Sequence, residues 1–430
     1  MTTTRVKESK EEIYSYWRKR MLLSIWISYA MFYMGRVNMS IAIPGIMDEY
    51  GLTRTAVGVV LTALFGTYAF GQFVNGQLGD KVGGRIMITM GLILSAVFNL
   101  LFGFSTILTV MAVIWALNGY VQSMGWSPSV KIIANWFPRQ IRGRIGGLMG
   151  SSYQFGNALS WLLAGTVAAH LGWRWVFWIP TVILLGAGIH CYLRVRNAPE
   201  VVGLPSLEEE EQGIEREEAC EDHHLGFKHT LRMILSNRAI WIVAFGLFFL
   251  NIVRYGFMDW APTYLFQEAH ATISQAAYKA MAMPIAGSLG AIFVGWMSDR
   301  YFKQRRAPAS AIMLFGLGLF AWLFQVTTGA YWVWSLLVLI MIGFLLYGPH
   351  VTMVATCPMD FGTRKAAASA AGFIDGFGYI GAAITGVTSG FLVDHFGWDA
   401  AFYLWVSGAV IAGALMLLLW NHKPEQQEYH

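Results

Sequence analysis

The chain has 430 residues, of which 56% are hydrophobic and only 13% are charged, against about a quarter in an ordinary soluble domain. Such a chain cannot cover its surface with polar side chains, which excludes a soluble globular protein. The net charge of +5 does not indicate nucleic-acid binding, because the lysines and arginines are scattered between apolar blocks instead of lining one stripe.

The first 21 residues are polar and basic, and they lack the short apolar core and small-residue cleavage site of a signal peptide. The apolar blocks that follow are about 20 to 25 residues long, enough to cross the hydrocarbon core of a bilayer. They predict an all-α integral membrane protein with twelve transmembrane helices. These helices are expected near 22–46, 54–79, 84–105, 107–137, 143–168, 172–194, 238–267, 272–298, 307–328, 331–359, 365–393 and 398–420.

One long polar segment, residues 195–237, interrupts the series of helices and holds the acidic run "LEEEEQGIEREEACED". We interpret it as a solvated linker between two six-helix halves, residues 1–194 and 238–430. The cysteines Cys191, Cys220 and Cys357 have neither paired spacing nor a motif, so we expect free thiols, no metal site and no cofactor.

The distribution of lysine and arginine predicts the orientation in the membrane. With a cytoplasmic N-terminus, 24 of the 30 basic residues fall in cytoplasmic segments, and the loops on the other side hold only Arg54 and Arg174. This imbalance predicts that both termini and the linker are cytoplasmic, in a multi-pass protein of the plasma (inner) membrane. The other four, Arg36, Lys131, Arg254 and Lys279, lie inside or near the ends of apolar blocks.

The two halves contain related segments. "GQLGDK" (76–81) and "GWMSDR" (295–300) share the pattern G-x-x-x-D-[KR] at an offset of 219 residues, "HLGW" at 170 and "HFGW" at 395 are 225 apart, and Arg36 and Arg254 are 218 apart. Three pairs at similar offsets predict that the second six helices repeat the first six. Parallel halves of this kind are typical of alternating-access transporters, with a site at the midplane between the halves.

The stretch "GQLGDKVGGR" resembles the loop signature of the major facilitator superfamily. Within it, the chain is similar to the organophosphate:phosphate antiporters, in the stretches "GWSPSVKIIANWF" (125–137), "RYGFMDWAPTYL" (254–265), "GWMSDRYFKQRRA" (295–307), "IGFLLYGP" (342–349) and "KAAASAAGFIDGFGYIGAAITG" (365–386). This resemblance implies a monomer of the major facilitator fold. It also implies that the arginines matching Arg36 and Arg254 bind phosphate.

The residues by themselves favour the same role for the two arginines. A guanidinium at the bilayer centre costs about 2.5–3.5 kcal/mol on insertion scales, so a function must offset the burial of Arg36 and Arg254. Two guanidinium groups from repeated helices would converge on one anion, and we call this arrangement the anion clamp. The alternative is a buried ion pair, with Arg254 satisfied by Asp259 and Arg36 by backbone carbonyls. Five residues turn about 140° around a helix, so Arg254 and Asp259 do not share a face unless Gly256 distorts the turn.

Further residues of the expected site come from the resemblance. Tyr29, Tyr33, Tyr347 and Tyr379 match tyrosines of the glycerol-phosphate transporters; packing or a position in the interfacial aromatic belt is the alternative for each. Four positions depart from that pattern: Gln72 replaces a lysine, Tyr153 a histidine, Asn251 a tyrosine and Pro284 a glutamate. These changes remove positive charge and a titrating group, so we expect a substrate other than glycerol 3-phosphate.

Asp375 in "GFIDGFGY" is a carboxylate surrounded by apolar residues. Three roles are open for it: bonding a sugar hydroxyl, selecting against a second substrate charge, or carrying a proton; the alternative is a structural partnership with Lys131 or Lys279. Lys131 is expected near the cytoplasmic mouth and Lys279 at the entrance of helix 8. Asp80 and Asp299, with Arg85 and Arg300 close in sequence, are expected to gate the cytoplasmic side.

The sequence thus favours a secondary transporter that exchanges an organic phosphate or similar small organic anion for inorganic phosphate. A proton-coupled symporter of organic anions such as sugar acids, and a transporter-like sensor of sugar phosphate, are the alternatives. The chain has no G-x-x-x-x-G-K-[ST] loop to hold a nucleotide. No nucleophile with a base, paired carboxylates or metal-ligand cluster indicates an enzyme.

Overall fold

The structure is a computed structural model that describes residues 2–205, 235–268, 271–303, 305–327, 332–357 and 367–421. These ranges are helical and contain no strand. The first half comprises α1 (Thr2–Phe32), α2 (Met39–Tyr50), α3 (Arg54–Val82), α4 (Gly84–Phe104), α5 (Leu108–Gln122), α6 (Trp126–Trp136), α7 (Arg139–Leu171) and α8 (Trp175–Arg194). The second half comprises α9 (Arg238–Gln267), α10 (Ile273–Ala280), α11 (Ala282–Tyr301), α12 (Arg306–Thr327), α13 (Trp332–Val351), α14 (Ala367–Phe396) and α15 (Trp398–Leu417).

Nine helices in the described ranges are long and apolar enough to cross a membrane. The predicted helix over 238–267 is confirmed to the residue by α9. The first predicted helix was too short at its start, since α1 already begins at Thr2 and a 3₁₀ turn at Tyr33–Gly35 separates it from α2. The prediction of one helix over 107–137 was wrong, because the chain turns between α5 and α6.

The two ends of the helix bundle are defined by the helices on either side of the central segment. We call the end where α8 finishes and α9 begins the linker face, and the other end the opposite face. Helix α3 of the first half packs against α14 of the second half. Helix α7 of the first half packs against α10 and α11. These contacts place the boundary between the halves along the middle of the bundle.

Small residues bring the halves together near the opposite face. A Cβ at Gly58 would lie 2.5 Å from the carbonyl oxygen of Gly386, and one at Gly165 would lie 2.4 Å from the Cβ of Ala277. Only glycine permits so close an approach of two helices. Nearby, the hydroxyl groups of Thr166 and Tyr278 lie 2.8 Å apart.

A polar cluster, which we call the opposite-face latch, joins the halves at the same end and consists of Arg54, Thr55, Gln267 and Asp394. The Asp394 carboxylate accepts hydrogen bonds from the Arg54 and Thr55 amides, at 3.1 and 2.6 Å, and so caps the N-terminus of α3 from the other half. Arg54 Nη2 donates to Gln267 at 2.8 Å. These hydrogen bonds join the two halves on the opposite-face side of the midplane.

Candidate anion-binding site

Arg36 lies in the break between α1 and α2. It follows the 3₁₀ turn Tyr33–Gly35, with a backbone φ of −128° and ψ of −50°. The interruption frees main-chain carbonyl groups, and buried amides take them up: Asn99 and Asn118 donate to Gly35 at 3.0 and 2.8 Å, and Gln122 donates to Phe32 at 3.0 Å. These bonds satisfy the break and fix the backbone that carries Arg36.

The guanidinium of Arg36 is held by aromatic rings. It lies 4.2 Å from the ring centroid of Tyr33 and 5.1 Å from that of Tyr68. Arg36 is 6% exposed, and its Nε and Nη1 atoms have no hydrogen-bond partner. A buried cation with free N–H groups is prepared to bind an anion.

Arg254 is positioned differently, on the uninterrupted helix α9. It is 3% exposed, and its Nη1 atom lies 3.0 Å from Nε2 of His350 and 3.4 Å from the hydroxyl of Tyr255. The rings of Tyr255, Tyr347 and Tyr153 surround its guanidinium at 4.9, 5.4 and 5.9 Å. Its Nε atom has no hydrogen-bond partner.

The two arginines share a lining of tyrosine rings between the halves. Tyr33, Tyr255 and Tyr379 lie within electrostatic reach of both guanidinium groups. The ring of Tyr153 connects the halves, with centroids 6.0 Å from Tyr33 and 6.4 Å from Tyr347. The structure thus brings together the residues of the expected anion clamp.

The remaining expected tyrosines extend this lining. Tyr29 packs against Tyr33 at 6.0 Å and against Trp126 at 5.0 Å. Tyr379 packs 4.6 Å from Tyr68, across the boundary between the halves.

Asp259 is a buried carboxyl group near both arginines. It is 7% exposed, its Oδ2 atom has no hydrogen-bond partner, and both Arg36 and Arg254 act on it electrostatically. It forms no direct ion pair with Arg254 among the described residues. Helix α9 continues through Gly256, where a Cβ would collide with Trp405 at 2.4 Å, so no distortion of the turn brings the two side chains onto one face.

The four positions that depart from the glycerol-phosphate transporter pattern, and Asp375, have the following surroundings. Gln72 accepts a hydrogen bond from Ser127 at 3.1 Å, and its Nε2 atom is buried without a partner. Asn251 is 1% exposed with an unpaired Oδ1 atom. Pro284 is buried in α11.

Asp375, half-buried in α14, interacts electrostatically with Arg254 and with Tyr379.

Among the described residues, Lys279 and the residues expected to gate the cytoplasmic side have partners or positions apart from the two arginines. Lys279 is 3% exposed and donates to Ser335 at 2.7 Å, so it is not the partner of Asp375. Asp299 accepts a hydrogen bond from Arg306 at 2.9 Å. Arg85 donates to the carbonyl of Tyr192 at 2.7 Å, within the first half. Arg300 is exposed on α11, and the side chain of Asp80 lies outside what the structure describes.

Sequence reasoning missed Tyr68, Tyr255 and His350. A signal was available for His350, since a histidine follows "LLYGP" at the end of a long apolar block and a buried polar group there needs a partner. The two tyrosines carried no signal, because a tyrosine on an apolar helix is usually a packing residue.

Comparison with known proteins gives the family. Residues 25–386 match the Major Facilitator Superfamily. The glycerol-3-phosphate transporter of Bacillus subtilis (strain 168) is 33% identical over 97% of this chain and 96% of its own length. A probable hexose phosphate transport protein of Chlamydia trachomatis is 30% identical over 97% and 94%. The membrane sensor protein UhpC of Escherichia coli (strain K12) is 30% identical over 94% and 92%.

A solved structure has the same fold. A bacterial homolog of the human lysosomal transporter Spinster, in an inward-facing and unoccupied conformation, superposes with a TM-score of 0.72 at 15% identity over 94% of this chain and 95% of that chain. The fold class predicted from the sequence, an all-α membrane protein of the major facilitator fold, is thereby confirmed. The chain belongs to the Major Facilitator Superfamily and, within it, to the family of the glycerol-3-phosphate and hexose-phosphate transporters.

Proposed function

We propose that the chain is a secondary transporter that exchanges an organic phosphate for inorganic phosphate by alternating access. The observation that carries this proposal is the pair Arg36 and Arg254, which are buried in opposite halves with unpaired N–H groups. An anion held by both arginines joins the two halves, so its binding favours their closure around it. The names of the relatives support a phosphate ester as that anion.

Burial of the two guanidinium groups gives the site its affinity for a strongly charged ligand. On insertion scales the pair opposes placement in the bilayer by roughly 5–7 kcal/mol. A phosphate group with two negative charges offers several oxygen acceptors and offsets this cost in a region of low dielectric constant. Exchange then needs no other energy source than the phosphate gradient.

The imbalance of basic residues supports a cytoplasmic linker face, in the plasma membrane. In this orientation the opposite-face latch joins the two halves on the outer side, which supports access of the anion to the arginines from the cytoplasm. Opening to the outside requires the latch of Arg54, Thr55, Gln267 and Asp394 to separate. The binding of an anion at the midplane offsets the free energy that this separation costs.

The site also constrains the organic part of the substrate. Gln72, Tyr153 and Asn251 supply neutral hydrogen-bonding groups. Asp259 and Asp375 disfavour a second anionic group on the substrate at their positions. We therefore expect a monophosphate whose organic part carries hydroxyl groups and no further negative charge.

Counterflow in proteoliposomes tests the proposal. The purified protein is reconstituted with internal phosphate, and the uptake of labelled phosphate is followed with organic phosphates and sugar acids as competitors. We expect saturable exchange that Arg36→Ala and Arg254→Ala each abolish, and that Lys279→Ala retains, since Lys279 is a buried cation away from the clamp. The absence of phosphate exchange by the wild type would contradict the proposal.

Two other functions are separated by the same preparation. The relative named as a membrane sensor favours binding of sugar phosphate without net transport. Sugar phosphate would then stabilise the protein against unfolding, and no uptake would be measured. The buried carboxylate of Asp259, with its unpaired oxygen, favours proton coupling. Proton-coupled symport would show as uptake of an organic anion driven by a pH gradient without internal phosphate.

A further inference from the structure

His350 is the residue in the described part of the chain that contacts a clamp arginine through a ring nitrogen. It lies at the end of α13 and is 8% exposed. Its Nε2 atom is 3.0 Å from Nη1 of Arg254, and its ring lies 6.2 Å from that of Tyr347. A polar contact this short between two buried side chains fixes their relative orientation.

The chemistry of the two groups determines which one donates. A guanidinium has five N–H donors and no acceptor, so Nε2 of His350 must accept the hydrogen bond from Arg254. The imidazole is therefore neutral and carries its proton on Nδ1. A doubly protonated ring would instead place an N–H of one cation against an N–H of the other at 3.0 Å.

This contact determines which edge of Arg254 is free. Nη1 is engaged by His350 and, more weakly, by the Tyr255 hydroxyl at 3.4 Å. The Nε atom is buried without a partner, and the side chain of Tyr347 lies beside the same guanidinium and interacts with it by a hydrogen bond. Two parallel N–H groups on Nε and Nη2 match two oxygens of one phosphate or carboxylate.

We propose that His350 is a positioning residue that holds Arg254 by Nη1 and so turns the Nε–Nη2 edge of the guanidinium toward the transported anion. This inference rests on the proposed function, and it names the residue that orients one member of the clamp. His350 acts through Arg254 and does not itself need to touch the anion.

The first half has no equivalent of this arrangement. Pro349 and Pro128 are 221 positions apart, in line with the repeat, so Ser129 corresponds to His350. The hydroxyl of Ser129 donates to the carbonyl of Gly125 at 2.7 Å, within its own helix. At the repeated position, the first half therefore offers Arg36 no side chain that orients it by a hydrogen bond.

The test measures the binding of inorganic phosphate to the purified full-length protein, with His350→Leu, His350→Gln and His350→Asn beside the wild type and Arg254→Leu. The amide oxygen of glutamine can take the place of Nε2, whereas that of asparagine lies nearer the backbone, at the place of Nδ1. We expect phosphate affinity to fall about tenfold in His350→Leu and in His350→Asn, because the Nε–Nη2 edge of Arg254 is then no longer held toward the anion. His350→Gln should stay within about threefold of the wild type.

The outcomes separate this inference from the proposed function. If the wild type does not bind phosphate, the proposed function fails. If Arg254→Leu loses binding but His350→Leu binds as well as the wild type, the clamp stands and the positioning role is refuted. The role is also refuted if glutamine and asparagine weaken binding equally, because the position of the acceptor is then irrelevant. Should His350→Leu not fold, the glutamine and asparagine pair still decides between these outcomes.

Discussion

The two arginines of the site are related by the internal repeat but are held by different means. Arg36 follows a break in a helix, and its guanidinium rests on the rings of Tyr33 and Tyr68 without a hydrogen bond to Nε or Nη1. Arg254 lies on a continuous helix of 30 residues, and its guanidinium is bonded to His350.

This difference shows that a repeated position does not imply a repeated mechanism of support. In the first half the amides fix the backbone and leave the guanidinium free to turn over two aromatic faces. In the second half a side chain fixes the guanidinium itself. We infer that Arg254 sets the orientation of the anion and that Arg36 adjusts to it as the halves close.

The largest expected difference comes from replacing each arginine by lysine. An ammonium group keeps the charge and the cation–π contact but loses the planar pair of donors. Since a hydrogen bond to a charged group contributes about 1.5–3 kcal/mol, we expect Arg254→Lys to lower phosphate affinity about 100-fold and Arg36→Lys only about tenfold. Equilibrium binding of labelled phosphate measures both, and equal losses would refute the proposed division of roles.

The next largest effect is expected from the buried amides Asn99, Asn118 and Gln122, which bond the carbonyl groups at the break before Arg36. Asn99→Leu removes a donor to Gly35 and an acceptor for Asn38, so we expect a loss of stability of about 1–3 kcal/mol together with weaker phosphate binding. His350→Leu should weaken binding with a smaller change in stability. Unfolding in detergent without phosphate compares the two variants, and a more unstable His350→Leu would show that His350 is primarily structural.

A smaller effect is expected at the ring under Arg36. Tyr33→Leu removes the face that lies 4.2 Å from the guanidinium, and since a cation–π contact contributes about 0.5–2 kcal/mol, phosphate affinity should fall about fivefold. Tyr33→Phe keeps the ring and should bind within about twofold of the wild type. If phenylalanine is as harmful as leucine in the binding assay, the hydroxyl group of Tyr33 contacts the anion.

The smallest effect concerns a charged pair of the first half that has no counterpart in the second. Arg174 donates to both Glu49 oxygens at 2.6 Å, whereas the repeat places Asp399 at the position of Arg174 and Asp399 accepts from Gln325. Glu49 lies at the polar end of α2, outside the nine apolar spans. The hydrogen bonds from Arg174 and Trp173 lower the pKa of Glu49 from 4.5 to about 2.

A group with a lowered pKa stabilises the fold above pH 4.5 and loses this contribution as the pH falls toward 2. Glu49 is largely exposed, so we expect Arg174→Gln to be less stable than the wild type by under about 1 kcal/mol at pH 6. This difference should shrink as the pH decreases from 5 toward 3, as measured by thermal unfolding in detergent. A difference that stays constant over this range would mean that Arg174 acts through packing against Trp173.

Much of the fold and part of the site could be predicted from the sequence. The low charge and the length of the apolar blocks predicted a membrane bundle, because hydrocarbon admits a backbone only when its polar groups are bonded within helices. Arg36 and Arg254 were found for the same reason, since an arginine in an apolar block needs a function. The boundaries of α9 could also be read directly, from the length of one apolar block.

Other features depended on contacts between segments distant in the sequence. The break after Phe32 is stable because amides of α4 and α5 bond its carbonyl groups. The hydrogen bond of Thr55 to Asp394 in the opposite-face latch joins residues 339 positions apart. The contact of Arg254 with His350 joins residues 96 positions apart. The sequence alone determined that Arg36 and Arg254 lie within apolar segments, since composition and spacing show which charges the bilayer must accommodate. Only the tertiary structure decided how each charge is held, because hydrogen bonds act over about 3 Å and their partners come from other helices.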